Sequence, residues 1–289
     1  VKNRGNTRCG TKLQLAIAFN RVDPEGRFKG LRRLVVDHGN CRIFDERLSL
    51  AFVRDDLREV AACANHATLH VNGTFEGLYT NLEAMNKDFL KRSFGPELDD
   101  GNFWEEGNQL ETNEETGTDD VLRAYKGSDT VSELEELSDV AHSVRYWAME
   151  AIIPATDNFF VDGWNYFLYE HPERGMVYVP RDYDKATPWS ERFVTLDPME
   201  FSTAHHPIPI VLHDPDYRDL YIRTLYEVLD RYDPDTFAER QDLWWEQIRA
   251  FAVADESLGY DEGDLPRYVP DNERDRVVWL EAHLPPRPE

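Results

Sequence analysis

The chain has 289 residues, with 32 Lys and Arg against 56 Asp and Glu, a formal net charge of -24. Such a carboxylate surplus repels phosphate backbones, which argues against nucleic acid as a partner and fits a solvated, acidic surface. A hydrophobic content of 41% with 7 Trp, 13 Tyr and 15 Phe supports a folded core for one large bilobal domain or two intimate ones, and no apolar run nears the roughly 20 residues that span a bilayer.

Cys9, Cys41 and Cys63 show no C-x-x-C spacing, so neither a structural zinc site nor a dense disulfide scaffold is supported, and one disulfide with a leftover thiol is open. The chain enters at Val1 directly on a motif-like segment, which reads as a fragment boundary.

In chain order, residues 11–19 alternate Leu13, Leu15, Ile17 and Phe19 against their neighbours, the pattern of a half-buried strand that also carries Lys12. Residues 45–58 place Leu48, Ala51 and Phe52 at helical spacing behind Asp45 as N-cap. In residues 66–82, Asn72-Gly73 divides two alternating apolar runs and predicts a hairpin, with Glu83 directly after it. Asn72-Gly73-Thr74 also matches a glycosylation sequon, but the turn alone explains it. Residues 86–94, stopped by Gly95-Pro96, predict a short helix.

The acid-rich stretch 97–120 reads as a solvated loop. A capping box at Ser132 and Glu135 then opens one long helix whose apolar face runs from Leu134 to Ile152. Residues 164–170 and 176–179 form a second hairpin, with Asn165 opening it and Asp182 following it. Asp214-Pro215 and Asp233-Pro234 each start an amphipathic helix, and a last helix begins near Asp271. The expected fold class is α+β, with a β-rich N-terminal lobe over 1–85, a mostly helical C-terminal lobe over 86–289, and the acid-bearing hairpin at 157–184.

Phosphoryl transfer needs a cation on the phosphates, carboxylate and amide oxygens on Mg²⁺, and an acid that orients the incoming hydroxyl. Lys12, Asp157, Asn165 and Asp182 supply these types in the right order. The spacing differs from ordinary protein kinases: Asn165 lies eight residues after Asp157, and neither D-F-G nor a G-x-G-x-x-G loop is present. The other reading of these residues is an Asp-rich turn that caps helices. His205-His206 has no third ligand at matching spacing, and Trp244-Trp245 reads as core.

Several segments together resemble the CotH kinase family of atypical kinases related to spore-coat protein H. They are Arg4-Gly5-Asn6-Thr7-Arg8 with Lys12, Val71 to Tyr79 (VNGTFEGLY) with Glu83, and Asp88-Phe89-Leu90 with Phe94-Gly95. Asp157-Asn158 before Asn165-Tyr166-Phe167-Leu168-Tyr169, Arg181-Asp182-Tyr183-Asp184, and Asp214-Pro215-Asp216-Tyr217 continue the match over almost the whole chain. Arg181 departs from the Trp usual before the acidic pair, and the family's opening strand would lie ahead of Val1.

The resemblance implies an atypical protein-kinase-like bilobal fold that uses ATP and Mg²⁺ or Mn²⁺ to phosphorylate Ser or Thr of a coat or exported protein, with a secreted, cell-surface or spore-coat location. It also implies a competing class, a non-catalytic adhesin-like binder that keeps the fold. On this reading Asn165, Asp182 and Asp184 hold metal, Asp157 orients the acceptor hydroxyl, and Lys12, with Arg4 and Arg8 as further candidates, grips phosphate. Asp162 stands in reserve for Asp157, Glu83 contacts the adenosine, and Glu46 is the helix acid placed to pair with Lys12.

Overall fold

The computed structural model describes residues 2–9, 12–39, 42–188, 191–264 and 268–288, and at residues 2–8, 191 and 268–270 the backbone alone. The chain opens with strands β1 (Lys2–Cys9), β2 (Lys12–Ala18) and β3 (Arg33–Asp37), followed by helix α1 (Asp45–Ala51). Then come β4 (Ala64–Val71) and β5 (Thr74–Leu82), and the five strands form one antiparallel sheet in the order β1-β2-β3-β5-β4. The hairpin expected at Asn72-Gly73 is present, and both residues take the positive φ that a two-residue turn needs (51° and 84°).

Two expectations change here. Asp45 is the first helical residue, not the N-cap: Phe44 holds that position without a side-chain cap, and α1 runs on into a π-helical turn over Phe52–Asp56. On β2 the buried positions at the strand's start are Lys12 and Gln14, while Leu13 is 40% exposed. The alternation of burial holds only over Lys12–Gln14, where the inward residues are the polar ones, and the rest of the strand is half-buried.

The inward face is tolerated because Lys12 is satisfied. Its ammonium donates to Asp255 Oδ2 at 2.7 Å and to the Leu78 carbonyl, and it sits 4.4 Å over the Tyr79 ring. Asp255 Oδ2 also accepts from Leu78 N at 2.8 Å. A Cβ on Gly77, at φ +130°, would stand 2.5 Å from that same oxygen, so a residue with no side chain is what lets Asp255 reach the sheet.

Downstream lie α2 (Lys87–Phe94), β6 (Phe103–Glu105), β7 (Gln109–Leu110), α3 (Asp120–Lys126), α4 (Val131–Leu137), α5 (Val140–Ile152) and α6 (Phe159–Asp162). The chain continues through β8 (Tyr166–His171), β9 (Gly175–Pro180), α7 (Glu191–Val194), α8 (Ile208–His213), α9 (Pro215–Leu229), α10 (Pro234–Ala254) and α11 (Tyr268–His283). Asn86, Asp214 and Asp233 cap α2, α9 and α10 by accepting backbone N–H bonds.

The stretch expected to be a solvated loop instead contains β6 and β7, which extend the β8–β9 hairpin into a four-stranded sheet, β7-β6-β8-β9. Buried Phe103 and Trp104 pay no regard to their acidic surroundings because they pair with Tyr169 and Leu168 across the sheet. The single long helix is in fact two. Its capping box is Thr130 with Glu133, Ser138 is extended, and Asp139 starts α5 by accepting from His142 N at 2.9 Å. Asp139 N meanwhile donates to Met176 O at 3.0 Å, so the sheet captures the chain at the break.

Helix α5 is the centre of the larger core. Val144, Trp147, Ala148, Ala151 and Ile152 are buried, and α5 packs on β9 and α9. Buried Arg276 of α11 closes its C-terminal end, donating to Ala151 O at 2.7 Å and Ile152 O at 3.2 Å, where a cation meets the negative pole of the helix dipole. Trp245 is core as expected, whereas Trp244 is half-buried with the Arg47 guanidinium 3.8 Å from its ring centroid. Cys9 is disulfide-bonded, Cys63 is free, and Cys41 lies outside the described residues. Among the described residues no helix is long and apolar enough to cross a membrane.

Two outcomes follow. Asp255→Ala leaves Lys12 charged and buried, so chemical denaturation should show a loss of about 3–5 kcal/mol. Burial, then Arg174, lowers the His142 pKa to about 4, with His142 Nε2 placed 2.8 Å from Tyr178 O. The unfolded chain therefore takes up a proton near pH 6.5 that the native state refuses until about pH 4, and stability falls as pH drops through that window. In thermal melts from pH 7 to 4, His142→Asn should lose less stability than wild type.

Candidate active site

The second hairpin is closed at its foot by one buried side chain. Asn158 Nδ2 donates to Arg181 O at 2.8 Å and to Asn165 O at 3.2 Å, while Arg181 N donates to Asn165 O at 3.0 Å. Asn165 and Asp182 both adopt φ of +58°, and Asn and Asp are the non-glycine residues that accept the left-handed region best. These turns draw the ends of β8 and β9 back towards the segment after α5. Asn165 Nδ2 donates to Asp157 O at 2.9 Å.

The Asp157 carboxylate pairs with Lys185 Nζ at 2.7 Å, and both are about a third exposed. Asp157, Asn165, Asp182 and Asp184 thus stand on loops that these bonds bring together.

Two acids from the N-terminal part join them. Asp37 ends β3, Glu46 sits in the first turn of α1, and both line with Asp182 a cleft of about 110 Å³ whose apolar side includes Val35, Leu50 and Met85. Glu46 is 2% exposed and its Oε2 accepts no hydrogen bond. Burial first, then Asp182, Asp37 and Asp184, raise its pKa well above the ordinary carboxylate range, against the pull of Arg181. Asp184, 4% exposed, is pushed up to about 8 by burial, then by Asp182 and Asp37, with Arg42 and Lys185 opposing. Arg42 reaches its backbone, donating to Asp184 O at 2.7 Å.

The pairing of Glu46 with Lys12 is not formed. The Lys12 ammonium belongs to Asp255, and the charged neighbours of Glu46 are Asp182, Asp37 and Asp184, with Arg181 opposing them. Glu83 lies at the cleft edge, but its carboxylate is taken by a two-pronged bond from Arg92 (2.7 and 2.8 Å) and by Cys63 N at 3.0 Å. Arg4 pairs through its backbone with Gln14, and the side chains of Arg4 and Arg8 lie outside what is described. Asp162 ends α6 exposed. Arg181, where the family has Trp, pairs with Glu105 of β6 and lies 5.5 Å from the Phe167 ring centroid, so the exchange has a built partner. His206 places Nε2 2.9 Å from Ser128 O, and His205 packs on Gly163.

The sequence reading missed Asp37, Asp255 and the clamp role of Asn158. Only Asp37 left a trace, as an acid closing the apolar run Leu34-Val35-Val36.

Carboxylate and amide oxygens are the donors a hard divalent cation takes, and the unbonded buried oxygen of Glu46 fits such a demand. Among the described residues, however, no three His, Cys, Asp or Glu side chains form a group that could hold a metal.

A sheet and helix facing an acid-bearing hairpin is the plan of a kinase-like α+β protein. The CotH kinase protein family model matches residues 1–270, and the chain belongs to that family. No curated protein matches it. It is also similar to a chain in the solved structure of the Shewanella oneidensis MR-1 toxin–antitoxin system HipA, HipB and its operator DNA, with 14% identity and a TM-score of 0.42. That similarity covers 87% of this chain and 58% of the other.

Neutralising one member of the acidic group should relieve repulsion. Asp184→Asn is expected to raise the stability of the metal-free protein at pH 8 by about 1 kcal/mol, since one unit of pKa shift is worth about 1.4 kcal/mol. Calorimetry in EDTA checks it, and a lowered midpoint would count against the repulsion.

Proposed function

We propose that this protein is an atypical kinase that moves the γ-phosphate of ATP, with Mg²⁺ or Mn²⁺, to a Ser or Thr hydroxyl of a protein acceptor, a coat or exported protein being the class the family resemblance favours. The single observation that carries the reading is the convergence of Asp157, Asn165, Asp182 and Asp184 around the foot of one hairpin, beside a cleft walled on one side by Val35, Leu50 and Met85.

On this reading Asp182, Asp184 and the Asn165 amide oxygen hold the metal, which neutralises charge on the transferring phosphoryl group. Asp157 accepts the hydroxyl proton and aims the oxygen. Its partner Lys185 holds the carboxylate in place at 2.7 Å. A phosphate that uses Lys12 must first displace Asp255. At about 110 Å³ the cleft is below the roughly 300–1,000 Å³ of ordinary ligand sites.

The competing reading, a non-catalytic surface binder, draws on the commitment of Lys12 to Asp255. The two separate cleanly in one experiment. Protein incubated with Mn²⁺, γ-labelled ATP and candidate acceptors should transfer label to itself or an acceptor, and Asp182→Ala and Asp157→Asn should each reduce transfer at least about a hundredfold. Equal labelling by wild type and both variants would sink the assignment, and no nucleotide binding by wild type would favour the binder.

A further inference from the structure

Glu150 is a fully buried carboxyl in the middle of the larger core, and nothing in the proposed chemistry touches it. An unpaired carboxyl in such a place costs several kcal/mol, yet among the described residues it has no ion-pair partner. Three hydrogen-bond donors take that place, and they come from three different elements. Phe160 N of α6 donates to Oε2 at 3.1 Å, Tyr178 OH of β9 donates to Oε1 at 2.7 Å, and Tyr183 OH approaches Oε1 at 3.4 Å.

The position of these donors in the chain is the informative part. Phe160 follows Asp157 by three residues, at the start of α6, and Tyr183 stands between Asp182 and Asp184. Tyr183 is itself fully buried, so its ring turns into the core while the acids on either side belong to the cluster at the cleft. One carboxyl therefore reaches both acid-bearing loops from behind. The Asn158 clamp fixes the same loops through backbone carbonyls, and Glu150 fixes them through the core.

We propose that Glu150 is a positioning residue that holds the Asp157 loop and the Asp182–Asp184 loop in one frame, setting the distance between the acid that aims the acceptor hydroxyl and the acids that hold metal. The inference rests on the phosphoryl-transfer reading of those acids. Misplacement of a reacting group by about 1 Å is enough to cost up to a hundredfold in rate, so the effect belongs to turnover more than to nucleotide affinity.

Glu150→Gln keeps the shape and one acceptor oxygen, but its NH₂ cannot accept from Phe160 N while the oxygen serves the tyrosines. Tyr178→Phe removes a single hydroxyl from the other side and guards against a folding failure of the first variant. Wild type and both variants are compared by thermal midpoint, Mn²⁺·ATP binding by calorimetry, and turnover of γ-labelled ATP.

The expected result is folded variants that bind Mn²⁺·ATP within about threefold of wild type, while turnover falls about tenfold or more in Glu150→Gln and less in Tyr178→Phe. The double variant should fall little below Glu150→Gln, because both changes break one network. Turnover within about twofold of wild type in both variants, or loss of binding and turnover only in step with loss of folded protein, overturns the proposal and leaves the kinase reading intact. A wild type that neither binds nor turns over Mn²⁺·ATP overturns the kinase reading and this proposal together.

Discussion

Four carboxylates, from Asp37, Glu46, Asp182 and Asp184, lie within electrostatic reach of one another at the junction between the first sheet and the second hairpin, and three of the four are less than a tenth exposed. Burying charge of one sign costs several kcal/mol per ion unless protons or cations offset it. The raised pKa values of Glu46 and Asp184 are that cost expressed as proton affinity. A protein that carries such a cluster must spend binding energy elsewhere to keep it assembled, and here the source is visible in the packing behind it.

What keeps the acids together is a framework of neutral hydrogen bonds. Asn158 bridges the two ends of the hairpin, Asn165 ties that bridge to Asp157, and Glu150 receives a donor from each acid-bearing loop. All three are polar groups in a nearly dry interior, so an unmade bond at any of them is expensive, and this makes the geometry of the loops well determined. The left-handed turns at Asn165 and Asp182 fall where the chain must reverse at the ends of β8 and β9 to return to the segment after α5.

A second tie spans the chain from end to end. Lys12 and Asp255 join the first sheet to the end of α10, and the side-chain-free Gly77 makes the approach possible. The Gly of the VNGTFEGLY segment therefore has a packing reason in addition to its place in a motif. The tie also redefines Lys12. A strand lysine facing a nucleotide cleft is free to grip phosphate, whereas this one is held 2.7 Å from a carboxylate and has a competing duty in stability.

Local chemistry was legible in part. The Asn72-Gly73 turn and the Asp214 and Asp233 caps depend on bonds within three residues, and each is present, whereas the caps expected at Asp45 and at Ser132 with Glu135 fall instead at Phe44 and at Thr130 with Glu133. The larger differences have a common cause. β6 and β7 sit in an acid-rich stretch with no strand signal of their own and exist because β8 offers an edge. The long helix breaks because Asp139 N finds Met176 O instead of continuing the helical ladder. The inward face of β2 is polar because of Asp255, 243 residues away. The family was legible from the motifs around Asp157, Asn165, Asp182 and Asp184. The sequence by itself determined the family resemblance, the order of the candidate residues, and the Asn72-Gly73 turn and the Asp214 and Asp233 caps, because those depend on neighbours along the chain. Only the tertiary structure decided that Asp37 and Glu46 join the cluster, that Asp255 claims Lys12, and that Glu150 stands behind both loops, because such pairings arise from side-chain packing between segments that no local pattern connects.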